Sequence, residues 1–393
     1  MTQGSGFPNE GEAVTALLRA CALGMSRVGA DVSVHMLGGG VSTTGPQSGD
    51  GAKGEWRGLP FEHMSGSPRP ASGWLRRRAL ELRSLWRMSK TILACGRSSD
   101  RAAVILYGPF VRFTLPIKAA CAAAGVPLVH ERGEFPFVYS GEPSLAARLW
   151  RSAYLATFFR LFDGVIVVGA TLLEEFVRER VGKATWVLRV PTMVDAEAFR
   201  CAAAPTVGLV GYAGNLKVSH REELFQLLGA VGALAATHDD IRVRIMGGGS
   251  SADEARLAAE SARLGIENRV ELAGTVSGDE LPAWLCGCAA LALPRASGLF
   301  SSAGFPSKLS EYLATGRPVV VTATGDIPLY LRPGIDSFLV PPDDPAAFAQ
   351  ALERALYDPG AVDIGRAGRE TARTQFDPAT HMARVLDALE PSW

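Results

Sequence analysis

The sequence predicts an α/β protein built as two doubly wound domains on parallel sheets. Short apolar runs rich in Val, Ile and Leu alternate along the whole chain with Ala/Leu/Arg-rich helical stretches. Most of these runs are apolar throughout, as strands covered on both faces require. With 393 residues, 47% of them apolar, the chain has material for a core in each domain.

The first half supplies strands at 31–37, 103–107, 126–130 and 164–168. The second half supplies 207–212, 241–246, 269–272, 289–294, 318–321 and 338–340. We divide the chain into a Rossmann-like domain over 1–192, a second over 193–375 and a final helical segment over 376–393. A hydrophobic strand should precede the helical stretch Val14–Gly29, yet Met1–Gly6 has Met1 as its one apolar side chain, so the first strand reads as missing or atypical. Residues 38–73, rich in Gly, Ser and Pro, read as a long mobile loop.

One segment joins several chemical features: Ala303-Gly304-Phe305-Pro306-Ser307-Lys308-Leu309-Ser310-Glu311-Tyr312. Pro306 suits the first turn of a helix, and Gly304 and Phe305 leave backbone N–H groups at its positive end, which attracts phosphate. Lys308 and Glu311 are three residues apart and share a helix face. That spacing puts a cation near a bound diphosphate and a carboxylate, able to accept two ribose hydroxyls, one turn deeper. A surface Lys–Glu pair on an ordinary α/β unit would explain those two residues taken alone. Gly316 closes the helix, and Pro318–Val321 opens a core strand.

The stretch aligns without a gap on, and resembles, the Glu-Gly-Phe-Gly…Glu-Ala-x-Ala-x-Gly-x-Pro-Val signature of the retaining family-4 glycosyltransferases. That resemblance implies a GT-B fold, with the two Rossmann-like domains facing across a cleft and the last helix, about Pro378–Leu389, crossing back to the N-terminal domain. It implies a transferase that moves a sugar from a nucleoside diphosphate to an acceptor glycan, lipid-linked acceptor or small molecule, with retention of configuration and no metal or other required cofactor. UDP is the first choice of donor base, with GDP or another base open. Glu311 matches the second Glu of the family's Glu-x7-Glu motif, the ribose holder, and Ala303 stands at the first. The segment Val190–Asp195 is similar to the family's Pro-Asn-Gly-Val-Asp linker, with Thr192 and Met193 substituted.

By the same resemblance, Gly211–Lys217 looks like the family's diphosphate loop, with Asn215 in place of the usual Arg and Lys217 or Arg221 as the cation. Such a cation would stabilise the departing diphosphate. Gly247 and Gly248 permit close ligand approach after a strand, and Thr275 and Val276 fall where the family cradles the base. His130 matches the family's strand-end His facing the donor sugar, which makes His130 and Glu311 the catalytic candidates. Arg132 and Glu134 are the acceptor candidates, and a local ion pair explains them as well. A catalytically impaired GT-B subunit, suggested by Ala303 and Asn215, and a GT-B epimerase are the alternatives.

Charge is balanced at 40 basic against 40 acidic residues but uneven along the chain: residues 1–190 carry 23 Lys+Arg and 15 Asp+Glu, net +8, leaving −8 for 191–393. The basic half suits an anionic acceptor or a membrane surface. Its segment Trp74–Arg87 is basic and amphipathic, and Leu75, Leu82, Leu85 and Trp86 fall near one stripe that core packing explains, the preferred reading over peripheral membrane association. No basic stripe with interleaved aromatics extends beyond it, so nucleic acid is not an expected partner. Cys21, Cys95, Cys121, Cys201, Cys286 and Cys288 show no metal or redox spacing and read as buried thiols in a reducing compartment. The start has no secretory pattern and no run reaches the roughly 20 apolar residues of a spanning helix, so the expected location is cytoplasmic, at most peripheral to the inner membrane face.

Overall fold

The computed structural model describes residues 13–37, 52–66, 73–99, 101–108, 111–136, 144–214, 216, 221–276 and 280–393. The chain forms two compact units, one of residues 1–191 with 378–393, the other of 192–377.

In the first unit, α1 (Ala13–Arg27) leads to a small sheet of β1 (Val34–Met36), β2 (Lys53–Trp56) and β3 (Leu59–His63). Its order is β1-β3-β2, with β1 parallel and β2 antiparallel to β3. The hairpin overturns part of the expected 38–73 loop. Arg57 and Gly58 both take positive φ, 50° and 81°, as a two-residue hairpin turn matched to strand twist demands. Averaging composition over the whole Gly/Ser/Pro stretch hid this local alternation. The residues in which a preceding strand was sought, Met1–Gly6, lie outside the described residues.

Next come α2 (Trp74–Ser98), β4 (Val104–Tyr107), α3 (Val111–Ala124), β5 (Leu128–Arg132), α4 (Leu145–Thr157), β6 (Gly164–Val168), α5 (Thr171–Arg178) and β7 (Trp186–Val190). The strands form a parallel sheet ordered β4-β5-β6-β7, with β5 and β6 buried at every position. The Lys118 ammonium bonds both oxygens of the Asp163 carboxylate, which also accepts the Leu128 N–H at 2.8 Å, pinning α3 to the start of β5. β7 was not expected: its short run Trp186-Val187-Leu188 is broken by Arg189 and it is only partly buried, unlike its neighbours.

The second unit is more regular. Its elements are β8 (Thr206–Ala213), α6 (Arg221–Leu234), β9 (Arg242–Met246), α7 (Ser251–Arg263), β10 (Val270–Gly274), α8 (Leu281–Cys286), β11 (Cys288–Leu293), α9 (Leu299–Ala303), α10 (Ser307–Ala314), β12 (Val319–Thr322), α11 (Ile327–Tyr330), β13 (Phe338–Val340), α12 (Pro345–Tyr357) and α13 (Ala361–Gln375). All six strands are parallel, in the order β10-β9-β8-β11-β12-β13. One face buries Leu224, Leu228 and Phe348 against Val210 and Val243, the other buries Leu309, Leu313 and Phe376 against Leu291 and Val321. A last helix, α14 (Pro378–Leu389), packs on α1, where a Cβ at Gly24 would run into the Pro378 carbonyl.

Two expectations are corrected. Cys201 and Cys286 are joined as a disulfide with Cα atoms 5.0 Å apart, so these two are not free thiols; the pairing spans 85 residues and depends on tertiary proximity that spacing does not reveal. Of the α2 stripe only Leu85 packs against the core: Leu75, Leu82 and Trp86 are exposed, and Ser84, Met88 and Ile92 on the opposite face are buried. Both faces of α2 are apolar at helical spacing, so periodicity alone picked the wrong one. Among the described residues no helix is long and apolar enough to cross a membrane.

Candidate functional site

Counted from β8, the sheet of the second unit runs 3-2-1-4-5-6, and the direction of winding reverses between β8 and β11. Open α/β sheets bind ligands at such a reversal, outside the carboxyl ends of the strands. The loops that follow β8 and β11 flank that point. The first is stitched to its neighbours by backbone bonds: Gly214 N–H donates to Met246 O at 2.8 Å, Leu216 N–H to Gly248 O at 3.1 Å and Gly247 N–H to Gly274 O at 2.8 Å. Gly247 sits at φ 149°, where a Cβ would collide with the Gly214 carbonyl, so glycine is what lets the β8 and β9 loops touch. Gly248 is exposed, its α-carbon facing the Thr275 hydroxyl, and Val276 is half-buried beside the core. Asn215 and Lys217 lie outside the described residues, and Arg221 is placed only as the first residue of α6.

The short helix α10 begins after Pro306, whose extended backbone (ψ 118°) provides no side-chain cap for the first-turn N–H groups. Its lower face is fixed by Leu309, Tyr312 and Leu313, all fully buried. Its last turn is held by Arg369, which donates to Ala314 O at 2.5 Å, Phe199 O at 2.7 Å and Ala196 O at 3.1 Å. Phe305 is buried, edge-on to Tyr330 with centroids 5.1 Å apart. Ala303, at the position of the family's first Glu, is buried at the end of α9. Lys308 and Glu311 are half-buried on α10. Burial holds the Lys308 ammonium below the usual lysine range; Glu311 and Glu223 draw it back up, and Arg295 pushes it further down.

Arg295 and Glu223 were missed by sequence reasoning, although both are central here. Arg295 is the second residue beyond β11, at the reversal point itself, and is 8% exposed. Its backbone is locked to β12, its N–H and C=O each 2.8 Å from the Thr322 hydroxyl. Its guanidinium donates to Ser301 O at 3.4 Å, and its Nε has no hydrogen-bond partner. Burial lowers its basicity, with Glu223 and Tyr212 opposing. Glu223, in the first turn of α6, is buried as well, where the helix dipole favours a carboxylate. A cation directly after an apolar strand, as in Leu293-Pro294-Arg295, was the signal available in the sequence. The arrangement brings two desolvated cations and two carboxylates to the mouth of the sheet, suited to a ligand with both phosphate and hydroxyl groups.

The first unit corrects the view of His130. It lies within β5, fully buried, its ring stacked on Phe162 at 4.6 Å and edge-on to Phe158 at 5.3 Å, with Nδ1 3.2 Å from Leu106 O. Burial, reinforced by Arg132, pushes its pKa down to about 3. The imidazole is therefore held neutral among aromatic rings, with its Nε2 lacking a hydrogen-bond partner. Arg132 is also buried and spends its Nε on Glu134 O at 2.6 Å, a carbonyl bond instead of an ion pair. Glu134 is exposed. Between them, burial pushes the Glu131 carboxyl up to about 8. Among the described residues no group of three His, Cys, Asp or Glu side chains is placed to share a metal ion.

The family profile of the glycosyl transferases group 1 matches residues 208–358, the stretch that contains this site. The chain is 31% identical over 182 residues to the D-inositol 3-phosphate glycosyltransferase of Streptomyces griseus, covering 43% of this chain and 37% of that protein. It is 29% identical over 252 residues to the protein of the same name from Streptomyces scabiei, covering 58% and 54%. The chain thus spans about a third to a half of the length of these curated relatives. Among solved structures, sucrose-phosphate synthase from Thermosynechococcus elongatus superposes with a TM-score of 0.69 at 17% identity, over 99% of this chain and 98% of that one. Anabaena HepE, in complex with UDP and glucose, superposes at 0.66 and 18% identity, over 98% and 97%.

Proposed function

We propose that this chain, a member of the group 1, family-4-type glycosyltransferases with their two-domain GT-B fold, transfers a sugar from a nucleoside diphosphate sugar to an acceptor hydroxyl. The observation that carries the reading is the convergence of Lys308, Glu311, Arg295 and Glu223 at the strand-order reversal of the second unit.

In this reading Glu311 accepts the ribose hydroxyls, Gly247, Gly248, Thr275 and Val276 border the base, and the diphosphate lies against the first-turn N–H groups of α10 and the backbone of Gly304 just before that helix. Lys308 and Arg295 neutralise it, and Lys217 and Arg221, the latter at the start of α6, are assigned to the same phosphates. As the bond between the anomeric carbon and the phosphate oxygen breaks, negative charge grows on the departing diphosphate. Preorganised cations and N–H groups in a dry site stabilise that charge without a required metal. The acceptor hydroxyl enters on the face the diphosphate leaves, its oxygen bonding the anomeric carbon while its proton passes to the departing diphosphate oxygen, and configuration is retained. UDP is the proposed donor base, supported by the UDP held by the structurally similar HepE. The acceptor is a glycan, a lipid-linked sugar or a small molecule, with the exposed Glu134 as its one assigned contact in the first unit, and the work is placed in the cytoplasm. No part is assigned to His130 or to nucleic acid.

Incubation of the chain with UDP-sugars, following release of UDP and the anomeric proton of the product by NMR, tests this. Transfer or hydrolysis with an α-linked product from an α-linked donor supports it. Absence of turnover with every UDP- and GDP-sugar in a folded sample that binds nucleotide would favour the impaired-subunit alternative, with Ala303 as its basis.

A further inference from the structure

The helix α2 carries two apolar faces, and one has no role in the core. Leu75, Leu82 and Trp86, at spacings of seven and four residues, form a single stripe and are 74%, 67% and 61% exposed. Trp74, at the start of the helix, is 68% exposed. The stripe lies opposite the buried Ser84, Met88 and Ile92, so it is a second surface and not the rim of the first. Arg76, Arg83 and Lys90 border it on one side and Arg78 on the other, and the Lys90 ammonium sits 4.3 Å over the Trp86 ring. Glu81 is the one acid between residues 74 and 98, and it is already engaged by Arg78 at 2.5 Å and Arg112 at 3.2 Å.

We propose that this stripe of α2 docks on an anionic lipid bilayer surface, the helix lying flat with Leu75, Leu82 and Trp86 in the headgroup–acyl boundary and the flanking cations among the headgroups. Charge decides the occupant. A second copy packed through the same stripe would press like cations together, whereas anionic headgroups meet each of them with opposite charge. Lipid also suits the chemistry of the stripe: Trp belongs at a membrane interface, and long Arg and Lys side chains reach from an apolar bed to the headgroups. A large exposed apolar area on a soluble chain calls for such a partner. The same unit shows a second exposed apolar set on α4, Leu145 and Leu149, which sharpens the test. The proposal stands independently of the transferase reading.

The test is co-sedimentation of the full chain with phosphatidylcholine vesicles and with mixed phosphatidylcholine–phosphatidylglycerol vesicles, for wild type, Leu82→Glu/Trp86→Glu, Lys90→Glu and Leu149→Glu, with thermal melts to establish folding. The expected result is binding to the mixed vesicles and little to phosphatidylcholine alone. It is weakened at least about tenfold by Leu82→Glu/Trp86→Glu, measurably by Lys90→Glu, and by raised salt. Equal binding by wild type and the α2 variants, loss only in Leu149→Glu, no binding by folded wild type, or a lipid-free dimer that the α2 double variant abolishes would each overturn it.

Discussion

The Tyr312 hydroxyl grips both ends of one peptide residue: the Ala213 N–H donates to it at 2.6 Å, and it donates to the Ala213 carbonyl at 3.3 Å. That pair ties α10, which carries Lys308 and Glu311, to the last residue of β8, the strand that leads into the β8 loop. Tyr312→Phe removes the hydroxyl from a fully buried place, and a loss of about 1–3 kcal/mol in stability is expected. Nucleotide binding should weaken with it, since α10 is no longer registered on β8. Chemical denaturation and nucleotide titration on the same variant check both effects.

Arg295→Met is predicted to lower affinity for UDP by about tenfold or more, as loss of a charge-assisted contact should, while leaving affinity for uridine nearly unchanged. Arg295→Lys should recover part of the loss. Equal losses for UDP and uridine would instead assign Arg295 to holding the loop after β11.

The second unit was legible because most of its strands are buried on both faces, the edge strand β10 being the exception. Expected strands at 318–321 and 338–340 correspond to β12 at Val319–Thr322 and β13 at Phe338–Val340, and the other four are equally close. Such strands announce themselves as apolar runs. The elements that escaped are those where burial is partial or partners are distant in sequence. β7 is interrupted by Arg189 and only partly buried, the β2–β3 hairpin hides among Gly and Ser, and the Cys201–Cys286 bond joins residues 85 apart. At the site, Lys308 and Glu311 were visible through their i, i+3 spacing. Arg295 and Glu223 were not, because each is brought to the site by which strand it follows or which helix it begins, and that needs the sheet order. His130 reads alike as a core or a site histidine, and only the Phe158 and Phe162 rings around it separate the two.

Burial gives the first unit opposing responses to pH. Glu131 holds its proton up to about pH 8 in the folded chain but releases it near 4.5 when unfolded, so the folded state binds more protons in that window and stability falls as pH rises through it. His130, pushed from 6.5 down to about 3, acts in the other sense: the unfolded state binds more protons between those values, and stability falls as pH drops through them. Glu131→Gln is therefore expected to flatten the loss between pH 5 and 8, gaining on the order of a few kcal/mol over wild type at the alkaline end. Denaturant midpoints across that range measure it.

The disulfide ties the segment before β8 to the end of α8 and closes an 85-residue separation. Cys201→Ser or Cys286→Ser should cost about 2–5 kcal/mol relative to the oxidised wild type. A reducing agent should lower the melting temperature of wild type toward that of the variants and leave the variants unchanged.

The central claim is that Glu311 and the cations around it hold a nucleoside diphosphate, and calorimetric titration of UDP, GDP, ADP and TDP into wild type and Glu311→Ala tests it most directly. The account predicts that wild type binds one of these, UDP first, and that Glu311→Ala weakens it by tenfold or more, about 1.4 kcal/mol. A folded wild type that binds none of them, or a Glu311→Ala variant that binds as tightly as wild type, would contradict it.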